Sequence, residues 1–181
     1  GNDILQLSHL DSVSETHAQP DMETVDLLDV AKDCVERQKL NAQRSFISLT
    51  YLGESARVLG NRDQLDELCQ NLCDNAIRYN RPGGKVQLIT SCTRDGHCTL
   101  TVKDNGIGIP KDAQSSVFER FYRVDKSRSK ATGGTGLGLA IAAWIAARHA
   151  GRIDVTSRVG LGSRFTLTFP LTPPEPEDGE E

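Results

Sequence analysis

The stretch Leu68-Cys-Gln-Asn-Leu-Cys-Asp-Asn-Ala-Ile-Arg-Tyr79 carries two periodic patterns at once. Apolar residues recur at helical spacing and predict a helix that packs on a sheet; they are Leu65, Leu68, Leu72 and Ala76. Polar residues recur every four positions and line a neighbouring stripe; they are Glu67, Asn71, Asn75 and Tyr79. An asparagine oxygen is a hard, neutral ligand suited to Mg²⁺, so the amide stripe indicates either a metal–phosphate site or a solvated polar face.

The composition is that of one soluble domain with a single sizeable core. The chain has 181 residues, of which 37% are hydrophobic and 25% are charged. The net charge of −4 argues against a general nucleic-acid binder, which usually carries a basic excess. No apolar run approaches the roughly 20 residues that cross a bilayer, and no signal peptide opens the sequence, so we expect this chain to be soluble.

The five cysteines are an odd number and do not suggest a disulfide framework. Cys69 and Cys73 share a helix face, but no histidine nearby completes a metal-ligand spacing. Cys92 and Cys98 lie symmetrically about Asp95-Gly96 and could face each other across a hairpin. We predict that all five are small, buried thiols in a reducing cytoplasm.

The order of the predicted elements indicates an α/β fold, a two-layer sandwich of a mixed, mostly antiparallel sheet and about three helices. Helices are predicted over 31–42, 61–79 and 137–149, with a shorter one over 113–120. Strands are predicted over 45–52, 57–59, 85–93, 98–103, 152–157 and 163–169, and a short strand begins within 25–30. Asn61 is a predicted N-terminal cap, and Gly151 is a predicted C-terminal cap.

Three regions follow from these patterns. Residues 1–22 contain the end of an amphipathic helix and a polar linker. Residues 23–171 form the globular domain. Residues 172–181 are acidic and rich in proline, and we predict that this tail is disordered.

The loop Asp104-Asn-Gly-Ile-Gly-Ile-Pro110 directly follows a predicted strand. Its glycines let the backbone turn sharply and approach a flat ligand closely. A carboxylate at the strand end can accept a hydrogen bond from an exocyclic amine, which would select adenine over guanine. Alone, such a loop is more often only a turn.

The segment Gly133-Gly-Thr-Gly-Leu-Gly-Leu139 opens a helix after a basic loop. Free backbone N–H groups and the helix dipole make it a natural phosphate cradle, and the preceding cations suit a mobile lid. It is not a Walker loop, because no Gly-Lys-Ser/Thr follows, and it is not a dinucleotide fingerprint, because no strand precedes the glycines. The alternative is a solvated flexible loop.

Four motifs together resemble the boxes of bacterial sensor histidine kinases, a branch of the gyrase, heat-shock chaperone, histidine kinase and mismatch-repair ATPase superfamily. They are the N box, the first glycine box, the F box and the second glycine box: Leu68–Tyr79, Asp104–Pro110, Val117–Arg123 and Gly134–Leu139. The similarity covers residues 24–170, in the family's order and spacing. It implies a catalytic domain with the Bergerat-type ATP-binding fold, with ATP and Mg²⁺ as cofactors.

The resemblance implies a role for each matching residue of the amide-bearing helix. Asn75 would coordinate Mg²⁺ between the phosphates, with Asn71 close by, and both would be catalytic. Arg78 would contact phosphate, where many relatives have lysine. Tyr79 would pack against the adenine and the ribose.

The glycine boxes would hold the nucleotide. Asp104 would bond the adenine amino group, Gly106 and Gly108 would shape the pocket, and Ile109 and Leu139 could line it. The phosphates would be bound by the backbone of the second box, at Gly134, Thr135, Gly136, Leu137 and Gly138.

The resemblance also implies a lid and a third position near the base. Phe118 and Phe121 would anchor the lid, from which Arg123, also implied to be catalytic, would reach the phosphates. Ser163 stands where related ATPases carry a threonine near adenine.

Other activities on this fold remain as alternatives. Related ATPases carry a water-activating glutamate one turn before the metal-binding asparagine, but here that position is Asn71, which cannot act as a general base. Glu67 lies a further turn away. This favours phosphoryl transfer over hydrolysis. A non-enzymatic nucleotide sensor is disfavoured by the intact boxes, and a serine kinase of anti-sigma type is disfavoured by the lid sequence 121–129.

The phosphoacceptor histidine is not recognised in the sequence. His9, His17, His97 and His149 lack the His-Glu/Asp-x-x-x-Pro setting, and the helix dipole would favour a cationic His149. The resemblance therefore implies an acceptor on the dimerisation domain of the same kinase, whose last helix would end within residues 1–22. It also implies a response regulator receiver domain as partner. The full-length protein would be a membrane-bound homodimer, with this domain on the cytoplasmic side of the bacterial inner membrane.

Overall fold

A computed structural model of the chain describes residues 21–120, 122 and 137–170. Within these residues the α-helices are α1 (Leu27–Arg44), α2 (Arg62–Arg78) and α3 (Gly138–Arg148), and Lys111–Ser116 is a 3₁₀ helix. The strands are β1 (Glu23–Asp26), β2 (Ser48–Gly53), β3 (Arg57–Gly60), β4 (Lys85–Cys92), β5 (Cys98–Asp104), β6 (Arg152–Arg158) and β7 (Gly162–Phe169).

Five of the strands form one sheet in the order β2-β4-β5-β7-β6. Only the β2–β4 pair is parallel within it, and the other three pairs are antiparallel. β1 and β3 form a separate antiparallel pair. This arrangement confirms the predicted two-layer sandwich of a mixed, mostly antiparallel sheet and helices.

The core lies between the helices and one face of the sheet. The apolar stripe of α2 is buried, which confirms the helical pattern; its members are Leu65, Leu68, Leu72 and Ala76. Alternate residues of the strands face this stripe, among them Leu88, Leu100, Val102, Phe165 and Leu167. Each large side chain buried in this way contributes about 1.5–3 kcal/mol, so the interlayer contact holds the helices in place on the sheet.

Side-chain caps set the first two helix starts. Asn61 accepts a hydrogen bond from the Gln64 N–H at 2.9 Å, which confirms the predicted cap of α2. The prediction of strand within 25–30 is wrong after Asp26. The Asp26 carboxylate accepts from the Leu28 N–H at 3.0 Å and thereby starts α1 at Leu27.

The C-terminal end of α3 differs from the prediction. Ala150, rather than Gly151, takes the left-handed conformation, with φ of 54°. The Gly151 N–H then donates to the Ala146 carbonyl at 2.9 Å, as the second residue after a helix cap does. The predicted helix over 113–120 is also wrong in its bounds and type, since the structure has a 3₁₀ helix at Lys111–Ser116.

The cysteines divide into two groups. Cys92 and Cys98 are directly opposite on β4 and β5, with 4.2 Å between their Cα atoms, and are joined by a disulfide. The prediction of a free thiol is therefore wrong for this pair. It is confirmed for Cys34, Cys69 and Cys73, which are buried and free.

His149 is buried at the end of α3 and is held as a neutral ring. Its Nε2 accepts from the Asn61 N–H at 3.0 Å, and its Nδ1–H donates to the Ile145 carbonyl at 2.8 Å. The prediction that the helix dipole would favour a cation is wrong, because burial lowers the pKa of His149 below its ordinary value, and nearby Arg148 lowers it further.

We expect the free energy of unfolding to decrease as the pH falls below about 6.5. The unfolded chain then takes up a proton at His149 that the folded chain resists, whereas above that pH the ring is neutral in both states. Urea unfolding between pH 5 and 7.5 measures the effect. His149→Gln should flatten the decrease, and an identical pH slope in wild type and His149→Gln would contradict the prediction.

Candidate nucleotide-binding site

A row of three polar residues crosses the sheet at one end of the core. Asp104 on β5 pairs in register with Ser163 on β7, which pairs with Ser157 on β6. The next row on the same face is apolar and begins with Val102 and Phe165, both buried. Because side chains alternate between faces, the polar row points to the helix side of the sheet.

The Asp104 carboxylate is held in a fixed orientation. Its Oδ1 accepts hydrogen bonds from the Gly106 N–H at 2.8 Å and the Ser163 N–H at 3.3 Å. Burial raises the pKa of Asp104, and these two backbone donors oppose the increase. No described residue donates a hydrogen bond to Oδ2. The site therefore presents one carboxylate oxygen to a ligand.

The glycine loop after β5 is pressed against the end of α2. A side chain at Gly106 would collide with the Tyr79 carbonyl oxygen, which accepts from the Ile107 N–H at 3.1 Å. Gly108 has φ of 76°, and a side chain there would meet the backbone of Arg158. Glycine is required at both positions by close approach, and at Gly108 also by its backbone conformation.

Three residues that the sequence analysis did not select hold this loop. The Arg81 guanidinium donates to the Gly106 carbonyl at 3.0 Å. The Gln114 amide donates to the carbonyls of Ile109 at 3.0 Å and Ser157 at 3.1 Å. The Ser157 hydroxyl accepts from the Ile109 N–H at 2.7 Å. Except for the Gln114–Ile109 bond, these bonds join residues more than 20 positions apart, and no local pattern could have indicated them.

The amide stripe of α2 lies beside the start of α3. The Asn71 Nδ2 is buried and has no hydrogen-bond partner within the described ranges. A side chain built at Gly138 would lie 3.9 Å from the Asn71 Cβ, so the two helices meet here. Buried polar groups normally have partners. An unpartnered amide donor at this place is therefore suited to a ligand acceptor.

The N-terminal end of α3 is open to an anion. Leu137 precedes the helix, is fully buried and provides no side-chain cap. The first turn carries no acidic residue. Among the described residues no side chain caps this turn, and its N–H groups and the helix dipole are therefore suited to a negatively charged group.

Two further predicted site residues lie at the C-terminal end of α2. Arg78 forms an ion pair with Asp74 at 2.9 Å, so its guanidinium already has one carboxylate partner. Tyr79 caps the helix, and its N–H donates to the Asn75 carbonyl at 3.1 Å. Tyr79 also contacts the glycine loop, through its carbonyl oxygen.

The predicted apolar lining is partly buried. Ile109 and Leu139 pack against the core, and Phe118 packs edge-on against Phe165 with 5.9 Å between ring centroids. The remaining predicted site residues lie outside the described residues; they are Phe121, Arg123, Gly134, Thr135 and Gly136.

The fold and this site define a class of protein: a nucleotide-binding α/β sandwich in which a glycine loop orients a buried carboxylate and an amide-bearing helix faces a helix N-terminus. The family described as histidine kinase-, DNA gyrase B- and HSP90-like ATPase matches residues 60–173, and the chain belongs to this family. ATP is the nucleotide of this class.

Curated relatives are sensor histidine kinases. The chain is 44% identical to the sensor-like histidine kinase SenX3 of Mycolicibacterium smegmatis, over 97% of this chain and 44% of the relative. It is 43% identical to the sensor histidine kinase RppB of Synechocystis, over 93% of this chain and 37% of the relative. The chain therefore spans less than half the length of these relatives.

Solved structures of kinases have the same fold. A mycobacterial sensor histidine kinase, MprB, matches with a TM-score of 0.72 and 30% identity, over 84% of this chain and 99% of that one. Full-length ShkA in complex with AMPPNP matches with a TM-score of 0.79 and 25% identity, over 94% of this chain and 35% of that one. Among the described residues, no helix has both the length and the apolar character needed to cross a bilayer.

Proposed function

We propose that this domain binds Mg·ATP and donates the γ-phosphoryl group to a histidine on the dimerisation domain of the same kinase, for relay to an aspartate of a response regulator. The names of the relatives support the kinase activity. The solved complex of ShkA with AMPPNP supports an adenine nucleotide as ligand.

The observation that carries the proposal is the Asn71 side chain. The resemblance implies that related ATPases carry a water-activating glutamate at this position, whereas Asn71 offers a buried amide N–H without a partner in the described part of the chain. An amide donates to phosphate oxygens and cannot remove a proton from water. The site can therefore position ATP for transfer to an external acceptor without promoting hydrolysis.

The residues present fit Mg²⁺ shared with phosphate. No group of three or more His, Cys, Asp or Glu side chains in the described ranges could hold a metal by itself. Mg²⁺ often has few protein ligands and several waters or phosphate oxygens. Asn75 would supply the protein oxygen, one turn along α2 from Asn71. When bound, the ion would neutralise charge on the transferred phosphoryl group.

The remaining contacts would bind the adenine at the glycine loop after β5 and the phosphates at the start of α3. Asp104 would accept from the adenine amino group through Oδ2, and Tyr79 would pack on the base. The N-terminus of α3, from Gly138, would receive the phosphates, Leu139 would line the adenine pocket, and Arg123 would reach the phosphates from the lid. Arg78 would exchange part of its contact with Asp74 for phosphate.

We place the acceptor outside this domain. Residues 1–22 would connect it to the dimerisation helices, and residues 23–171 would form the catalytic unit. The full-length kinase would be a homodimer with this domain on the cytoplasmic side of the bacterial inner membrane.

Incubation with γ-labelled ATP and Mg²⁺ tests the proposal. The 181-residue chain alone should remain unlabelled while it binds ATP. Addition of the histidine-bearing dimerisation segment of the full-length kinase should give an acid-labile label on that segment. Label on the isolated chain would contradict the proposal, and so would steady phosphate release that Asn71→Ala abolishes, since this would indicate hydrolysis.

A further inference from the structure

The Ser157 hydroxyl is at the centre of three hydrogen-bonded contacts at the proposed adenine site. It accepts from the Ile109 N–H at 2.7 Å. It lies 3.0 Å from the Gly162 carbonyl oxygen, to which it donates. It also lies 2.7 Å from the Ser163 hydroxyl.

The number of protons decides the direction of the third bond. A serine hydroxyl has one proton and two lone pairs. If Ser157 gives its proton to the Gly162 carbonyl, the bond between the serines must use the proton of Ser163. All three contacts are then satisfied, and the Ser163 Oγ keeps only lone pairs for other partners.

Ser163 and Asp104 are direct neighbours in the sheet. The Ser163 N–H donates to Asp104 Oδ1, and the Ser163 residue is 8% exposed. With its hydroxyl proton directed to Ser157, the Ser163 oxygen is an acceptor on the strand next to Asp104, whose Oδ2 is also an acceptor. The side chains of Ser163 and Asp104 therefore present two acceptors to the site and no hydroxyl donor.

We propose that Ser157 is a positioning residue for nucleobase selectivity, which acts by holding the Ser163 hydroxyl in its acceptor orientation. The proposal rests on the proposed function, in which Asp104 bonds the adenine amino group. At the 6-position, the amino group of a 6-amino purine donates to these acceptors, whereas the keto oxygen of a 6-keto purine is itself an acceptor and is disfavoured. Ser157 itself does not contact the base.

The test is Ser157→Ala in the full 181-residue chain, with the affinities for Mg·ATP and Mg·ITP measured by calorimetry. Without Ser157, the Ser163 proton is released and can bond the 6-keto oxygen. We expect the ratio of ATP affinity to ITP affinity to fall about tenfold, the usual effect of one hydrogen bond. Ser157→Thr keeps the hydroxyl and should keep the wild-type ratio. Thr156→Ala, on the opposite face of β6, should also keep it.

A double-mutant cycle distinguishes positioning from general loosening of the loop. If Ser157 acts through Ser163, the Ser157→Ala change should leave the ratio unaltered in a Ser163→Ala background. If Ser157→Ala does not fold, Ser157→Cys gives the same comparison, because a thiol is a weak donor and acceptor.

Equal loss of ATP and ITP affinity in Ser157→Ala would overturn the inference and assign the residue a structural role. An unchanged ratio would overturn it as well. Failure of the wild-type chain to bind ATP, or to prefer it over ITP, would instead contradict the proposed function.

Discussion

Asp104→Asn is expected to weaken ATP binding by about ten- to hundredfold, the range for a hydrogen bond to a charged group. The N–H groups of Gly106 and Ser163, which donate to Oδ1, fix the orientation of the asparagine side chain. They require an acceptor, so the asparagine oxygen stays with Gly106 and Ser163. The asparagine NH₂ then replaces Oδ2 and meets the adenine amino group donor to donor. The loss should therefore exceed the removal of one bond.

A measurement with two nucleotides isolates this effect. ITP, whose 6-keto group is an acceptor, should lose much less affinity than ATP in Asp104→Asn, and calorimetry of both quantifies the difference. Asp112→Asn, at an exposed carboxylate of the 3₁₀ helix, is the matched control and should bind like wild type. Parallel losses for ATP and ITP would show that Asp104 does not contact the 6-position.

Asn75→Ala is expected to reduce phosphoryl transfer to the dimerisation segment by about a hundredfold. The factor by which Mg²⁺ increases the affinity for ATP should fall by at least about tenfold. The substitution removes the only amide oxygen proposed as a ligand of Mg²⁺. The ion is then held less tightly, and the negative charge of the phosphates is less well neutralised. Binding of adenosine, which carries no phosphate, should be unchanged. This contrast separates metal coordination from damage to the base pocket.

The control for Asn75→Ala lies on another face of the same helix. Gln70 accepts from the Gln38 amide at 2.7 Å and faces α1 rather than the site. Gln70→Ala should keep Mg²⁺-dependent ATP binding, measured by titration of Mg²⁺ at fixed ATP. Equal effects of Asn75→Ala on ATP with and without Mg²⁺ would contradict a role of Asn75 as ligand.

Local patterns were sufficient for much of the fold. The apolar stripe from Leu65 to Ala76 and the cap at Asn61 depend on contacts within one or two helical turns. The hairpins β4–β5 and β6–β7 could be anticipated because short turns join their strands. The helix ends were less predictable. Asp26 ends a strand and starts a helix through its own carboxylate, and Ala150 takes a backbone conformation that glycine usually occupies.

The amide stripe of α2 can be recognised from the sequence, but the residues that surround it in the site cannot. By itself, the sequence determined that α2 has one apolar face and one amide face, because helix periodicity is a local property. It also determined where glycines permit close backbone approach. Only the tertiary structure decided which groups meet. It placed Asn71 against Gly138, aligned Asp104 with Ser163 and Ser157, and brought Gln114 to Ser157. Strand register and helix packing join residues that are distant along the chain, and no short-range spacing encodes them.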